Sequence, residues 1–146
     1  MGNVRTMNMG SRMSMGSGMN MGSSLFMLVG ATLFLVAFGL PLLLCPMTWA
    51  CRIGWSLPQE KDLANYLGRS LGGVVMAVII MAFLAAIDPW KYRFVFDMLV
   101  LIGIFMVGVH LYGFVKKNQP LIEHLEIVMY SLLSLFAWYF YPQPPG

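Results

Sequence analysis

Two histidines and two glutamates in the second half of the chain have side chains that could do chemistry. His110 precedes the polar segment 116–120, and Glu123, His124 and Glu126 follow it. Neutral imidazole is the usual protein ligand of a haem or a chlorophyll-type pigment held between facing helices. Carboxylates beside an imidazole can also hold a metal ion. These residue types therefore predict a polar site, provided that the chain brings them to one place.

Two antiparallel helices would bring them together. At about 1.5 Å per helical residue, His110 lies about 9 Å from Lys116 and His124 about 6 Å past Pro120, so both imidazoles come to a similar depth. His110 shares a helix face with the small residue Gly103, which predicts that it points inward. Arg69 enters from the same end. The predicted cluster consists of Arg69, His110, Glu123, His124 and Glu126.

Several functions fit this cluster, and the sequence leaves them open. The polar groups could form a network that fixes helix register, with Arg69 paired to a glutamate. His110 and His124 could bind a haem or a chlorophyll-type pigment. A metal or quinone pocket is a further alternative. No serine, cysteine or lysine stands beside a base in a recognisable nucleophile pattern, so we expect a protein that is not an enzyme.

The elements that carry these residues are apolar helices. Apolar residues make up 59% of the 146 residues and charged residues 10%, whereas soluble domains carry about 25% charged residues. A span needs roughly 20 apolar residues to cross a bilayer. We predict four spans, at about 25–44, 68–87, 94–115 and 121–141. The net charge of +3 is not concentrated in a Lys/Arg cluster, which argues against nucleic acid as a partner.

Small residues and prolines predict how the helices pack and bend. Gly68 and Gly72 form a small-x-x-x-small pair that lets another backbone come close, and Gly103 does the same on the third helix. Gly39 and Pro41 should bend the end of the first span. The only two cysteines, at 45 and 51, could form a disulfide if that end faces an oxidising compartment; the expectation is that both thiols are free.

The first 24 residues differ in composition from the rest. Three tandem hexapeptides follow the pattern M-[NS]-M-G-S-x between residues 7 and 24. Gly, Ser and Asn disfavour a stable helix, so we expect a flexible tail. Its thioethers could bind Cu(I), or could fill grooves on a partner. The candidate copper ligands are Met7, Met9, Met13, Met15, Met19 and Met21.

Two short motifs resemble a known family. The run YLGRSLGG at 66–73 and the link AAIDPWKYR at 85–93 resemble small bacterial four-helix membrane proteins of the DoxX/BphX-like kind, over about 47–141. The link departs from the family pattern at Ile87, where arginine is usual. The resemblance implies a four-helix fold in a bacterial cytoplasmic membrane. It supplies no catalytic residue.

Together these patterns predict an all-α integral membrane four-helix bundle, residues 25–146, behind a flexible tail rich in Met, Gly and Ser. The function predicted first is that of a non-catalytic accessory subunit of a larger membrane complex. Its partners would be other membrane subunits and lipid, contacted through the helices and the tail. The alternatives are a haem- or pigment-binding redox protein that uses His110 and His124, and a copper-handling protein that uses the tail.

Overall fold

The chain folds into helices joined by short links. The computed structural model describes residues 20–120 and 122–145, and no strand occurs among them. The methionines predicted as copper ligands between residues 7 and 19 lie outside the described part of the chain. The helices are α1 (Met21–Phe34), a π-helical turn (Leu35–Gly39), α2 (Leu40–Leu44), α3 (Pro46–Arg52), α4 (Asp62–Ile87), α5 (Phe94–Lys116) and α6 (Glu123–Tyr139).

Three helical stretches are long and apolar enough to cross a membrane. They are Met21–Leu44, Asp62–Ile87 and Phe94–Lys116, with mean hydropathies of 2.4, 2.5 and 2.3. The prediction of an all-helical membrane protein is confirmed at this level. Helix α6 has 17 residues and covers about 25 Å at 1.5 Å per residue, so it is shorter than these three stretches.

The helices of the first two predicted spans begin earlier than the sequence predicted, whereas the third begins at Phe94 as predicted. The first helix begins at Met21 instead of residue 25, with Asn20 at the position before it. Ser23 lies inside the helix, and its hydroxyl donates to the carbonyl of Phe140 (2.7 Å). Helix α4 begins at Asp62 instead of residue 68. The link between the first two predicted spans contains a further short helix, α3, which starts at Pro46, a position where proline is well tolerated.

A proline interrupts the first membrane-spanning stretch. Pro41 has no backbone N–H, so the carbonyl four residues earlier, on Ala37, loses its helical donor. The π-helical turn Leu35–Gly39 lies at this break, and prolines and π-helical turns are both sites where helices bend. The indole N–H of Trp49 on α3 donates to the carbonyl of Ala37 (2.9 Å). The bend predicted near Gly39 and Pro41 is therefore a π-helical turn held by a tryptophan from the next helix.

The helices pack as two helix pairs. In the first pair, the stretch formed by α1 and α2 lies against α4; in the second, α5 lies against α6. The approach of α2 to α4 is very close, since a Cβ placed on Gly72 would lie 2.5 Å from the backbone nitrogen of Leu43. The thiols of Cys45 and Cys51, near this contact, are both free.

The two pairs meet at one end of the molecule. The side chains buried there come from the start of α1, the end of α4 and the start of α5; they are Met27, Ala31, Ile79, Ala82, Ala85, Val95 and Phe96. Asn20 and Gln143 exchange two hydrogen bonds (3.1 and 2.9 Å) beside this core. At the other end the pairs leave space between them, and that space contains the candidate site.

Candidate functional site

The end of α5 and the link after it position His110. Lys117 adopts a left-handed conformation (φ 53°), which ends the helix and turns the chain back. The side chain of Gln119 then packs over Gly113, and its amide nitrogen donates to the backbone carbonyl of His110 (3.0 Å). The side chain of His110 is only 6% exposed. The histidine is thus held at a fixed place near the C-terminus of α5.

The first turns of α6 supply the carboxylates. Glu123, Glu126 and Tyr130 are spaced by three and four residues, so they lie on one helix face. Glutamates suit this position because the N-terminus of a helix carries partial positive charge. The close packing of α5 on α6 brings that face to His110: a Cβ on Gly103 would collide with Ser134 and with the backbone carbonyl of Tyr130.

His110 lies between the two carboxylates. Its Nδ1 is 3.3 Å from Oε2 of Glu123, and its Nε2 is 3.2 Å from Oε2 of Glu126. One ligand atom from each of the three residues can be chosen so that all three lie within 4.8 Å of one another. Neither ring nitrogen has a well-formed hydrogen bond. A neutral imidazole carries one N–H, so in that form one of its nitrogens faces a carboxylate oxygen without a proton between them.

Two aromatic residues complete the site. The indole N–H of Trp55, in the link before α4, donates to Oε1 of Glu123 (2.6 Å). The ring of Tyr130 lies nearly parallel to the imidazole of His110, with a 17° angle and 5.6 Å between the centroids. Glu123 therefore has one oxygen held by Trp55 and the other beside His110, whereas no hydrogen bond involving the Glu126 carboxylate occurs in the described residues.

The electrostatics of the site are unbalanced. The side chains of Glu123 and Glu126 are 9% and 15% exposed. His110 is the only basic side chain within ion-pair distance of either carboxylate in the described ranges. With both glutamates ionised, the net charge is −2 beside a neutral imidazole and −1 beside an imidazolium. Buried charge is costly unless it is paired, so the arrangement suits a cation or a hydrogen-bond donor.

A cavity of about 380 Å³ opens next to this cluster. Its polar end is formed by His110, Glu123, Glu126 and Tyr130. The remaining wall is apolar and comes from both helix pairs, for example from Phe34, Leu42, Trp49, Val78, Ile102 and Met106. Ligand sites are typically mostly apolar cavities with a few convergent polar groups. The space between the pairs has this character, and it can take an apolar molecule with a polar end.

The structure separates two predicted members of the cluster from the other three. Arg69 is exposed on α4, beside Asp62 and Tyr66, and it forms no ion pair with a glutamate in the described ranges. His124 is half-buried and packs edge-on against Phe114, at 4.8 Å between ring centroids. Neighbouring residues on a helix point in different directions, so His124 faces away from the group that its neighbour Glu123 joins.

The other predicted residues lie away from the cluster. A Cβ on Gly68 would lie 2.6 Å from the Cβ of Pro46, so Gly68 and Gly72 both pack against this chain's own α2 and α3. Met21, at the start of α1, is 69% exposed. Trp55 and Gln119, both in links, were not predicted as members of the site. Neither residue belongs to a helical pattern that would have indicated its contact with Glu123 or His110.

Comparisons with other proteins add no relative to this picture. A scan against protein-family models, a search of curated proteins and a search of solved structures each give no match.

Proposed function

We propose that the protein binds an apolar ligand with a hydrogen-bonding head group in the cavity between its two helix pairs. The observation that carries the proposal is the polarity of the cavity, which is apolar along its length and holds His110, Glu123 and Glu126 at one end. The head group would lie against His110, Tyr130 and Glu126: an N–H of His110 and the O–H of Tyr130 can donate to a quinone carbonyl, and Glu126 can accept from the O–H of the reduced quinol. The apolar part would lie along α1 and α4. A quinone, which has carbonyl oxygens on an apolar ring and tail, is the ligand class that we propose.

Trp49 offers a direct test, because it lines the cavity and quinones quench indole fluorescence. A decyl-substituted benzoquinone would be titrated into the purified chain in detergent micelles. We expect a saturable part of the quenching that Trp49→Phe removes. Trp138→Phe is the control, since Trp138 is 71% exposed on the outer surface. Equal quenching in both variants would contradict the proposal.

Two further variants test the ligand position. Val78→Trp should fill the cavity and weaken quinone binding, because Val78 lines it. Ile80→Trp, on the outward side of the same helix and 55% exposed, should leave binding unchanged. Glu126→Gln should alter the affinity, and the exposed Glu60→Gln should not. Unchanged binding in Val78→Trp would place the ligand elsewhere.

An accessory role in a larger membrane complex is the second candidate. It is favoured by Gly73 and Gly108, where an added Cβ would meet no atom within 4 Å. Such exposed small residues let a helix of another membrane chain approach. We expect a second membrane chain to co-purify in constant ratio in mild detergent, and Gly108→Leu to release it. A chain that is always alone under these conditions contradicts this role.

We also propose that the protein has four spans and lies in a bacterial cytoplasmic membrane, as the DoxX/BphX-like resemblance implies. Support for four spans comes from the contact of Asn20 with Gln143, because an even number of spans leaves both ends on one side. Tags placed before residue 20 and after residue 145 should therefore be cleaved from the same side of sealed vesicles. Cleavage of the two tags from opposite sides would mean that α6 does not cross the membrane.

A further inference from the structure

The buried cluster has the composition of a metal site. It contains one imidazole and two carboxylates, which together suit divalent first-row metal ions. The charge of these groups points the same way, since the described residues offer the carboxylates no Lys or Arg partner. A divalent ion would balance two buried carboxylates that neutral His110 leaves uncompensated. A buried carboxylate is costly unless a cation is paired with it.

The distances fit coordination by one ion. Two ligands bound at about 2.1 Å in near-tetrahedral geometry lie about 3.4 Å apart. The separation of His110 Nε2 from Glu126 Oε2 is 3.2 Å, so this pair already has the required spacing. The third ligand comes from Glu123, whose oxygen lies within 4.8 Å of the other two ligand atoms. A rotation of the Glu123 side chain would close the remaining gap.

His110 is independent evidence that points to a ligand. Its side chain is 6% exposed, and both ring nitrogens are buried without a well-formed hydrogen bond. Buried polar atoms usually have a hydrogen-bond partner, so two buried ring nitrogens without one require an explanation, such as a bound ion. A metal ion on Nε2 would satisfy that nitrogen and fix the proton on Nδ1.

We propose that His110, Glu123 and Glu126 bind a divalent transition-metal ion, of the kind of Zn²⁺, Mn²⁺ or Fe²⁺, at the polar end of the cavity. Trp55 orients Glu123 through its indole N–H and belongs to the outer shell. The open coordination positions face the cavity. The site shares the cavity with the proposed quinone but does not depend on that ligand.

Cobalt tests the site directly, because Co²⁺ replaces Zn²⁺ and its visible absorption reports the coordinating atoms. The full chain would be purified through a tag without histidine, stripped with a chelator and titrated with CoCl₂ in detergent micelles. We expect saturation at one ion per chain and a spectrum of low-symmetry nitrogen and oxygen coordination. His110→Ala and Glu126→Ala should abolish it. Trp55→Phe should weaken binding by roughly tenfold to a hundredfold, as loss of an outer-shell partner does.

His124→Ala and Glu60→Ala are the matched controls, since they remove the same groups outside the cluster, and they should bind Co²⁺ like the unaltered chain. Glu126→Gln preserves the side-chain volume, so a folded Glu126→Gln protein separates loss of the ligand from loss of the fold. Helical circular dichroism and gel filtration would verify folding. No visible band at one equivalent, or a band that survives Glu126→Gln and His110→Ala, overturns the metal site. Quinone quenching in the presence of chelator tests the proposed function separately.

Discussion

The close contact between α2 and α4 can be tested with two adjacent glycines. In Gly72→Ala, the new methyl group would lie 2.5 Å from the backbone nitrogen of Leu43 and 2.8 Å from the carbonyl carbon of Leu42. These are backbone atoms, so neither can rotate away and the helices must separate. In Gly73→Ala, the methyl group meets nothing within 4 Å. Both changes replace Gly by Ala inside the same helix, so the gain in helix propensity cancels when the two variants are compared.

What remains in that comparison is the cost of overpacking, about 1 to 3 kcal/mol. A chain of about this size loses about 2 to 4 °C in melting temperature for each kcal/mol. We therefore expect Gly72→Ala to unfold about 2 to 12 °C below Gly73→Ala. The measurement is thermal unfolding in one detergent at a fixed protein-to-detergent ratio, followed by circular dichroism. Equal midpoints would refute the close approach and the wall that α2 contributes to the cavity.

Three further predictions concern single contacts. Trp49→Phe should lower the free energy of unfolding by about 1 to 3 kcal/mol, because it leaves the carbonyl of Ala37 without this donor. The loss should be smaller in a Pro41→Ala background, which restores the helical N–H, and equal losses in a double-mutant cycle would refute this account of the π-helical turn. Ser23→Ala should cost about 1 kcal/mol by removing the hydrogen bond to Phe140, and an unchanged unfolding midpoint would show that the contact contributes nothing. If the tail binds Cu(I), removal of residues 1–19 should abolish that binding; undiminished Cu(I) binding would exclude the methionines removed as its ligands.

The membrane helices could be predicted because their signal is local. A long apolar run with few charges determines a helix in a bilayer, whatever it packs against. Helix ends were less predictable, because polar residues can continue a helix beyond the apolar run. Asp62, in the first turn of α4, shows this: hydropathy suggested a start at residue 68. The first turn of α1 contains Ser23, whose hydrogen-bond partner Phe140 is 117 residues away, and a contact of that kind leaves no local signal in the sequence.

The site was predictable only where helical periodicity decides it. His110, Glu123 and Glu126 come together because antiparallel neighbours bring the end of one helix to the start of the next. Arg69 had been grouped with them by its depth alone, and depth does not fix the direction of a side chain around a helix. Trp55 could not be found in this way, since its approach to Glu123 depends on the path of an irregular link. The cavity could not be predicted either, because it arises from the separation of the two helix pairs, which depends on how they pack.

The two proposals for the cavity make a joint prediction. If a quinone head group and a metal ion occupy neighbouring positions at His110 and Glu126, each must change the affinity of the protein for the other. Thermodynamic linkage requires the two changes to be the same factor. A quinone oxygen that fills an open coordination position should raise Zn²⁺ affinity, and Zn²⁺ should raise quinone affinity equally. Zinc titration with and without the decyl benzoquinone measures one factor, and Trp49 quenching with and without Zn²⁺ measures the other. Two affinities that are each independent of the other compound would mean that the metal and the quinone do not meet, and one of the two would then have to be placed outside the polar end of the cavity.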